Sequence, residues 1–357
     1  MIITDKERLK DFSISTRKWQ GIPSVAATKK GRLFVCFYSG HDTEDLGNYC
    51  ALTFSDDQNT FIDPIAVVYF GEDSRACDPV VWVDPLNRLW FICCITPKQK
   101  VLAYVCDNPD ADTLVFNQPI ELGDDMISHK PTVMDNGEWW FPIFNCGKGL
   151  FESSVLLCDT YSGLYREEKE NKAYAVVSKD QGKTFEKRGG VAADSRSFDE
   201  HQFLETNNGV DCFIRTHYGI GKSTSVDGGY TWTKAVDSGF FGPDSKFLFL
   251  RLNSGNVLMV GHQKGANPDL PLERTNLTAF LSMDGGVTFP YKLLLDERTN
   301  VSYPEGQQTG EYIYVTYDRE RRTDGEILLA KFTEEDIING KLTSNGYLKK
   351  TVTKLVK

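Results

Sequence analysis

The 357-residue sequence predicts an all-β protein, a six-bladed β-propeller whose single domain runs from residue 1 to 357. Three observations carry this. A pattern S-x-D-x-G-x-T-[FW] occurs in good copies at Ser178 to Phe185, Ser225 to Trp232 and Ser282 to Phe289, and in a worn copy at Ser55 to Phe61. Copies follow β-rich runs such as Cys50 to Phe54, Ala173 to Val177 and Ala279 to Leu281. The good copies stand roughly 50 residues apart and Ser55 lies about two such periods before Ser178, so one repeat without a readable copy falls between them. A period of about 40 to 50 residues holding four short strands is that of a propeller blade, and a chain of this length accommodates six.

The repeated unit has the chemistry of a tight hairpin corner. Its aspartate can accept bonds from nearby backbone N–H groups, its glycine can take positive φ, and its aromatic residue packs beneath. Blade 1 begins with Arg17 to Ser24, continues through the strand Gly31 to Tyr38, and crosses a polar loop, Ser39 to Gly47, before the worn box. Blade 2 holds Arg75-Ala76-Cys77-Asp78-Pro79, with Arg75 and Asp78 placed to project from a loop, and then two strands around the turn Asp84 to Asn87. Blade 3 runs from Pro131 to Phe144 through the turn Asp135-Asn136-Gly137 and on into Ser178. Blade 4 carries the polar set Asp199 to Gly209 and the strand Val210 to Arg215. Blade 5 spans Phe247 to His262 and Arg274 to Phe280, and blade 6 opens on Val301 to Glu305 ahead of Tyr312 to Tyr317. The ring is expected to close by pairing the N-terminal segment with strands near the C-terminus, which would hide the last edge.

Composition narrows the function. A net charge of −10 argues against nucleic acid and against an anionic membrane surface as partner. No run of 18 apolar residues exists, so no membrane-spanning helix is expected. Met1 to Lys10 lacks the apolar stretch of a signal peptide, which points to the cytoplasm as the sequence stands, or to a secreted or periplasmic site if a leader has been removed. The nine cysteines form an odd count in apolar strands and read as buried free thiols. Five scattered histidines show no metal-ligand spacing, so neither a metal nor a cofactor is expected. The aromatic content of 12% suits both packing between blades and a sugar-binding face.

The boxes resemble the Asp-boxes, or BNR repeats, of the sialidase superfamily, and the resemblance extends over nearly the whole chain. It implies a carbohydrate partner with an acidic terminus, and an exo-glycosidase in which a tyrosine activated by a glutamate attacks the anomeric carbon while a carboxylic acid serves as acid and then base. A neutral nucleophile suits a sugar whose anomeric carbon bears its own carboxylate, and arginines hold that carboxylate through paired bonds. Carried over, the nucleophile is Tyr303, its partner Glu200, the acid/base one of Asp42, Glu44 and Asp45, and the carboxylate binders Arg215 and Arg274. Arg75, Asp78, Arg17 and Gln20 are further candidates for substrate binding.

One departure from the family is that its first arginine stands in an R-I-P motif, where this chain reads Gly21-Ile22-Pro23. Either the site takes a different acidic sugar, or Arg17 or Arg75 fills the gap from another backbone position. Two other readings stay open: a sugar-acid lyase or other glycosidase in which a tyrosine and a histidine, His41, His201 or His262, transfer protons at a uronic acid, and a propeller that binds glycans or proteins without chemistry.

Overall fold

Runs of β-branched and aromatic residues separated by Asx and Gly turns give the chain little choice but short antiparallel strands. At the turn after Val83, for example, Asp84 Oδ1 accepts the Arg88 N–H at 2.9 Å and Asp84 Oδ2 accepts the Trp90 indole N–H at 2.9 Å. The computed structural model describes residues 1–96, 98–124, 126–144, 172–196, 200–263 and 273–356. Among these, helix is confined to short pieces, chiefly Lys6–Leu9 and Glu334–Asn339.

The strands form six antiparallel sheets, each an up-and-down meander, arranged as six blades. The first strands are Trp19–Ala27 in blade 1, Arg75–Val83 in blade 2, His201–Thr206 in blade 4, Leu248–Arg251 in blade 5 and Val301–Thr309 in blade 6. In blade 3 this position is split between Met126–Ile127 and Thr132–Val133, both paired with Trp139–Phe144. Each first strand packs against that of a neighbouring blade, so these strands line the central channel. The core lies between blades, as where Trp82 of blade 2 meets Trp139 of blade 3 edge-on at 4.9 Å.

The boxes sit at the turn between the third and fourth strands of blades 1, 3, 4 and 5. In blade 4, Asp227 Oδ1 accepts Tyr230 N at 3.1 Å and Thr231 N at 2.9 Å, Oδ2 accepts the Thr231 hydroxyl at 2.6 Å, and Ser225 Oγ accepts Gly229 N at 2.8 Å. Gly229 has φ +86°, and a Cβ there would stand 2.7 Å from the Trp140 ring of the preceding blade. Asp180 and Asp284 repeat the pattern, and the worn copy keeps it through Asp57, which accepts Asn59 N and Thr60 N. Blade 2 lacks a box, as the doubled spacing requires. Blade 6 replaces it with Glu334–Asn339, whose buried Asp336 accepts Thr343 N and Ser344 N.

Ring closure differs from expectation. Ile2–Ile3 pairs with Ala66–Val68 as a fifth, outermost strand of blade 1, whereas blade 6 takes its outer strand, Tyr347–Thr353, from the C-terminal segment itself. With every edge of blade 6 filled locally, no N-terminal strand is needed there. The ring closes by packing instead: Gln307 Nε2 donates to Ala27 O at 3.1 Å, and Tyr314, Ile327 and Leu329 of blade 6 share a core with Val25 and Val35 of blade 1.

One irregularity recurs where it matters. The first strands of blades 1, 2 and 6 each slip register at a residue before proline: Ile22-Pro23, Asp78-Pro79 and Tyr303-Pro304. Those residues have φ of +53°, +47° and +55°. A bulge bends the strand and re-aims its side chain, and positive φ in a non-glycine residue is a strain that clusters at functional sites. Asp78 and Arg75 therefore lie within a bulged strand, not on a loop, and the proline after Tyr303 follows a residue with left-handed backbone.

Candidate active site

The three bulges converge at one mouth of the channel. Tyr303 is 7% exposed, and its phenol donates to Glu200 Oε1 at 2.9 Å while accepting from Arg215 Nη1 at 3.0 Å. The same Arg215 nitrogen reaches Glu200 Oε2 at 3.0 Å, so tyrosine, glutamate and arginine form a closed triangle. Arg215 is positioned by the second strand of blade 4 and by Asp244, whose carboxylate pairs with Nε and whose carbonyl accepts Nη2 at 3.0 Å. That carbonyl also accepts Arg274 Nη2 at 3.0 Å, which ties the arginines of blades 4 and 5 to one point.

Two guanidinium groups lie over the Tyr303 ring, Arg321 at 4.1 Å and Arg274 at 5.5 Å from its centre. Arg321 comes from the turn after the second strand of blade 6. Its Nε donates to Asp318 Oδ2 at 2.7 Å and its Nη2 lies 3.3 Å from Ser302 Oγ. Asp318, wholly buried, also accepts the Ile22 N–H at 2.7 Å and the Ser302 hydroxyl at 2.6 Å, thereby fastening the bulges of blades 1 and 6 together. A Cβ on Gly21 would stand 2.7 Å from Arg321 Cδ.

Of the three acid/base candidates, Glu44 turns inward, 3.7 Å from Arg321 Nη1 and 3.9 Å from Arg75 Nη1. Asp42 is exposed beside Lys18, and Asp45 caps the Leu46 N–H within its own loop. Arg75 is buried, with Nε on Thr96 Oγ1 at 3.1 Å and Nη1 without a hydrogen-bond partner. Arg17 is held outside this cluster: its Nε and Nη2 bond the Phe12 carbonyl and Nη2 also bonds Asp63, while its Nη1 is buried without a hydrogen-bond partner. Gln20 donates to the Gly325 carbonyl, and its Oε1 is buried without a partner. Asp199 lies outside the described residues. Among the described residues no group of three His, Cys, Asp or Glu side chains could hold a metal ion.

The electrostatics divide the carboxyl groups by task. Burial alone would raise the Glu200 pKa, but the Arg215 charge and the bonds from Arg215 and Tyr303 outweigh it and leave it below the usual carboxylate range. Glu200 is therefore held ionised where it accepts the Tyr303 hydroxyl. Burial, joined by the Glu200 charge, pushes the Tyr303 phenol upward, while Arg215, Arg321 and Arg274 pull the other way. Asp78 is pushed up to about 7, first by burial and then by the Glu44 charge. Arg274 is drawn below its ordinary value by burial and by its neighbours Arg321 and Arg215, as expected where cations are gathered.

Directly along the same strand from Tyr303, Glu305 is fully buried with Lys246 Nζ at 2.7 Å, His129 Nδ1 at 3.3 Å and Lys130 Nζ at 3.6 Å. This ionic plug joins blades 3, 5 and 6 across the channel. Sequence reading missed it, along with Asp244, Asp318 and Arg321. The available signals were Glu305 itself, two residues beyond Tyr303, and the arginine-rich turn Arg319 to Arg322 facing a missing side chain at Gly21.

No curated protein matches the chain. Among solved structures it resembles the Hadza microbial sialidase Hz136, with TM-score 0.65 and 18% identity over 91% of this chain and 68% of that one. It also resembles a protein of unknown function from Dyadobacter fermentans, with TM-score 0.62 and 18% identity over 89% of this chain and 94% of that one. A third likeness is to the NanB sialidase of Streptococcus pneumoniae, with TM-score 0.62 and 12% identity over 94% of this chain and 71% of that one. Identities this low establish a shared propeller fold. The profile of the BNR repeat-like domain family matches residues 79–315. With more than half of its length matched, the six-bladed chain belongs to the BNR repeat-like domain family.

Proposed function

We propose that this protein is an exo-glycosidase of sialidase type that removes a terminal acidic sugar, sialic acid or a relative, from a glycan. The observation that carries the reading is the triangle of Tyr303, Glu200 and Arg215, in which a buried phenol donates to an ionised carboxylate. That is the arrangement a tyrosine needs to become a nucleophile. In the first step Tyr303 Oη bonds to the anomeric carbon, Glu200 receives the phenolic proton, and the glycosidic C–O bond breaks as Glu44 protonates the departing oxygen. In the second, Glu44 takes a proton from water, whose oxygen bonds to the anomeric carbon, and Tyr303 leaves with its proton returned from Glu200. Arg215 and Arg274 bind the sugar carboxylate, and Asp78 with Arg75 contacts the ring substituents.

The contacts of His41, His201 and His262 run to groups other than Tyr303, which favours hydrolysis over a lyase built on those three, while His217 Nδ1 lies 3.0 Å from Asp244 Oδ2 beside Arg215. His201 bonds the Tyr174 carbonyl, His262 the Thr275 carbonyl, and His41 lies at an exposed Glu72. The test is incubation with sialosides, uronosides and neutral glycosides. Release of a free acidic sugar without ultraviolet-absorbing product is expected. Turnover of neutral glycosides alone, an unsaturated product, or no turnover of any of them would contradict the proposal.

A further inference from the structure

The geometry points to Arg321 as a substrate-anion-binding residue, with glycine at position 21 as the condition for its reach. This inference rests on the acidic-sugar reading above and extends it to a residue from a different blade.

Space is the first argument. Gly21 lies in the first strand of blade 1, and a Cβ on it would come within 2.7 Å of Arg321 Cδ and 2.9 Å of both Cγ and Nε. Such distances are well inside ordinary contact, so the side chain of Arg321 occupies the volume that any residue at position 21 would claim. A clash with the flexible part of an arginine is relieved by moving the arginine, not the strand. Substitution at position 21 should therefore displace the guanidinium while leaving the fold in place.

Anchoring is the second. Asp318 Oδ2 accepts both the Ile22 N–H and Arg321 Nε at 2.7 Å, so one carboxylate fixes the bulge next to Gly21 and the guanidinium that fills the gap. Ser302 bonds Asp318 and lies 3.3 Å from Arg321 Nη2, which links the same arginine to the residue before Tyr303. The guanidinium is pre-organised on two edges, which reduces the ordering cost of binding a planar anion.

Direction is the third. The guanidinium lies 4.1 Å from the centre of the Tyr303 ring, on which Arg274 also stands, and its Nη1 lies only at ion-pair distance, 3.7 Å, from Glu44. A cation fixed between the nucleophile and the acid/base candidate faces the place where the anomeric carbon and its carboxylate would sit. Arg17 offers no alternative, since Asp63 and Phe12 hold it.

The experiment is a double-variant cycle read by calorimetric titration with N-acetylneuraminate and with its methyl ester, in which the carboxylate charge is masked. The unmodified protein should prefer the acid. Arg321→Gly and Gly21→Ala should each weaken binding of the acid at least tenfold, as loss of a charge-assisted bond does, and change binding of the ester far less. Because Gly21→Ala acts by displacing Arg321, the double variant should be no weaker than Arg321→Gly alone. Two losses that add, or an Arg321→Gly protein that still prefers the acid as strongly as the unmodified chain, would overturn the inference while leaving the acidic-sugar reading intact. Failure of the unmodified chain to bind the acid would overturn both.

Discussion

Tyr303 Oη stands 2.9 Å from Glu200 Oε1 although 103 residues separate them in sequence. The contact exists because the bulge at Tyr303-Pro304 turns the phenol into the channel mouth, where the start of blade 4 presents the glutamate. Glu200→Gln keeps the shape and removes the proton acceptor. The expected outcome is a fall in kcat of about a hundredfold or more, with a loss of stability smaller than at a buried cation stripped of its carboxylate, because Arg215 keeps Asp244. A Glu200→Gln protein with unaltered kcat would separate the pair from catalysis.

Glu305 is the only carboxylate that the described contacts give to buried Lys246, and it also faces Lys130 and His129. Replacing it by glutamine leaves buried cations uncompensated. Breaking a buried ion pair in this way costs about 3–5 kcal/mol, so Glu305→Gln should show a large drop in denaturation midpoint. Burial and the nearby Lys246 charge hold Lys130 down to about 8 even with Glu305 present. Chemical denaturation of both proteins at pH 7 measures the difference.

Asp78 provides a pH-dependent contrast. Its pKa in the folded protein is raised to about 7, above that of an unfolded aspartate near 3.9. Between those values the folded state binds the proton more tightly, so this group's contribution to stability falls as pH rises from about 4 to 7 and is constant above that. Asp78→Asn carries no such burden. Its melting temperature relative to the unmodified protein should rise across that window, and a difference that does not vary with pH would show that Asp78 is not held in its neutral form.

Asp227 has the opposite sign. Hydrogen bonds, led by the Thr231 hydroxyl and backbone N–H, lower it to about 2. Its stabilisation is complete above the unfolded aspartate value and is lost as pH falls toward 2. Asp227→Asn should therefore be less stable than the parent at pH 7, with the gap narrowing in acid. Thermal melts at pH 7, 4 and 2.5 test this.

These contrasts follow how the chain could be read. Box turns are local, with Ser225, Asp227, Gly229 and Thr231 satisfying one another within seven residues, so blade number and boundaries were legible from spacing. The pairing of Tyr303 with Glu200 was legible only through the order of residues shared with a family. Arg321 was not, because its place depends on an absent side chain in another blade and on Asp318 beneath it. Arg17 looked suitable by its nearness to Gly21, yet Asp63, well along the chain, had already paired with it. Ring closure is not legible in the sequence because no local pattern tells which segment fills the edge of the last blade; Tyr347–Thr353 does so.

The most direct test of the account is the turnover of Tyr303→Phe on the best acidic glycoside, measured beside its melting temperature and its affinity for the free sugar acid. The phenyl ring keeps its place under Arg321 and Arg274, and only the oxygen is lost. The account predicts a fall in kcat of about a thousandfold or more, as removal of a nucleophile gives, with stability and affinity nearly unchanged. A Tyr303→Phe protein that turns over at a near-normal rate would contradict it.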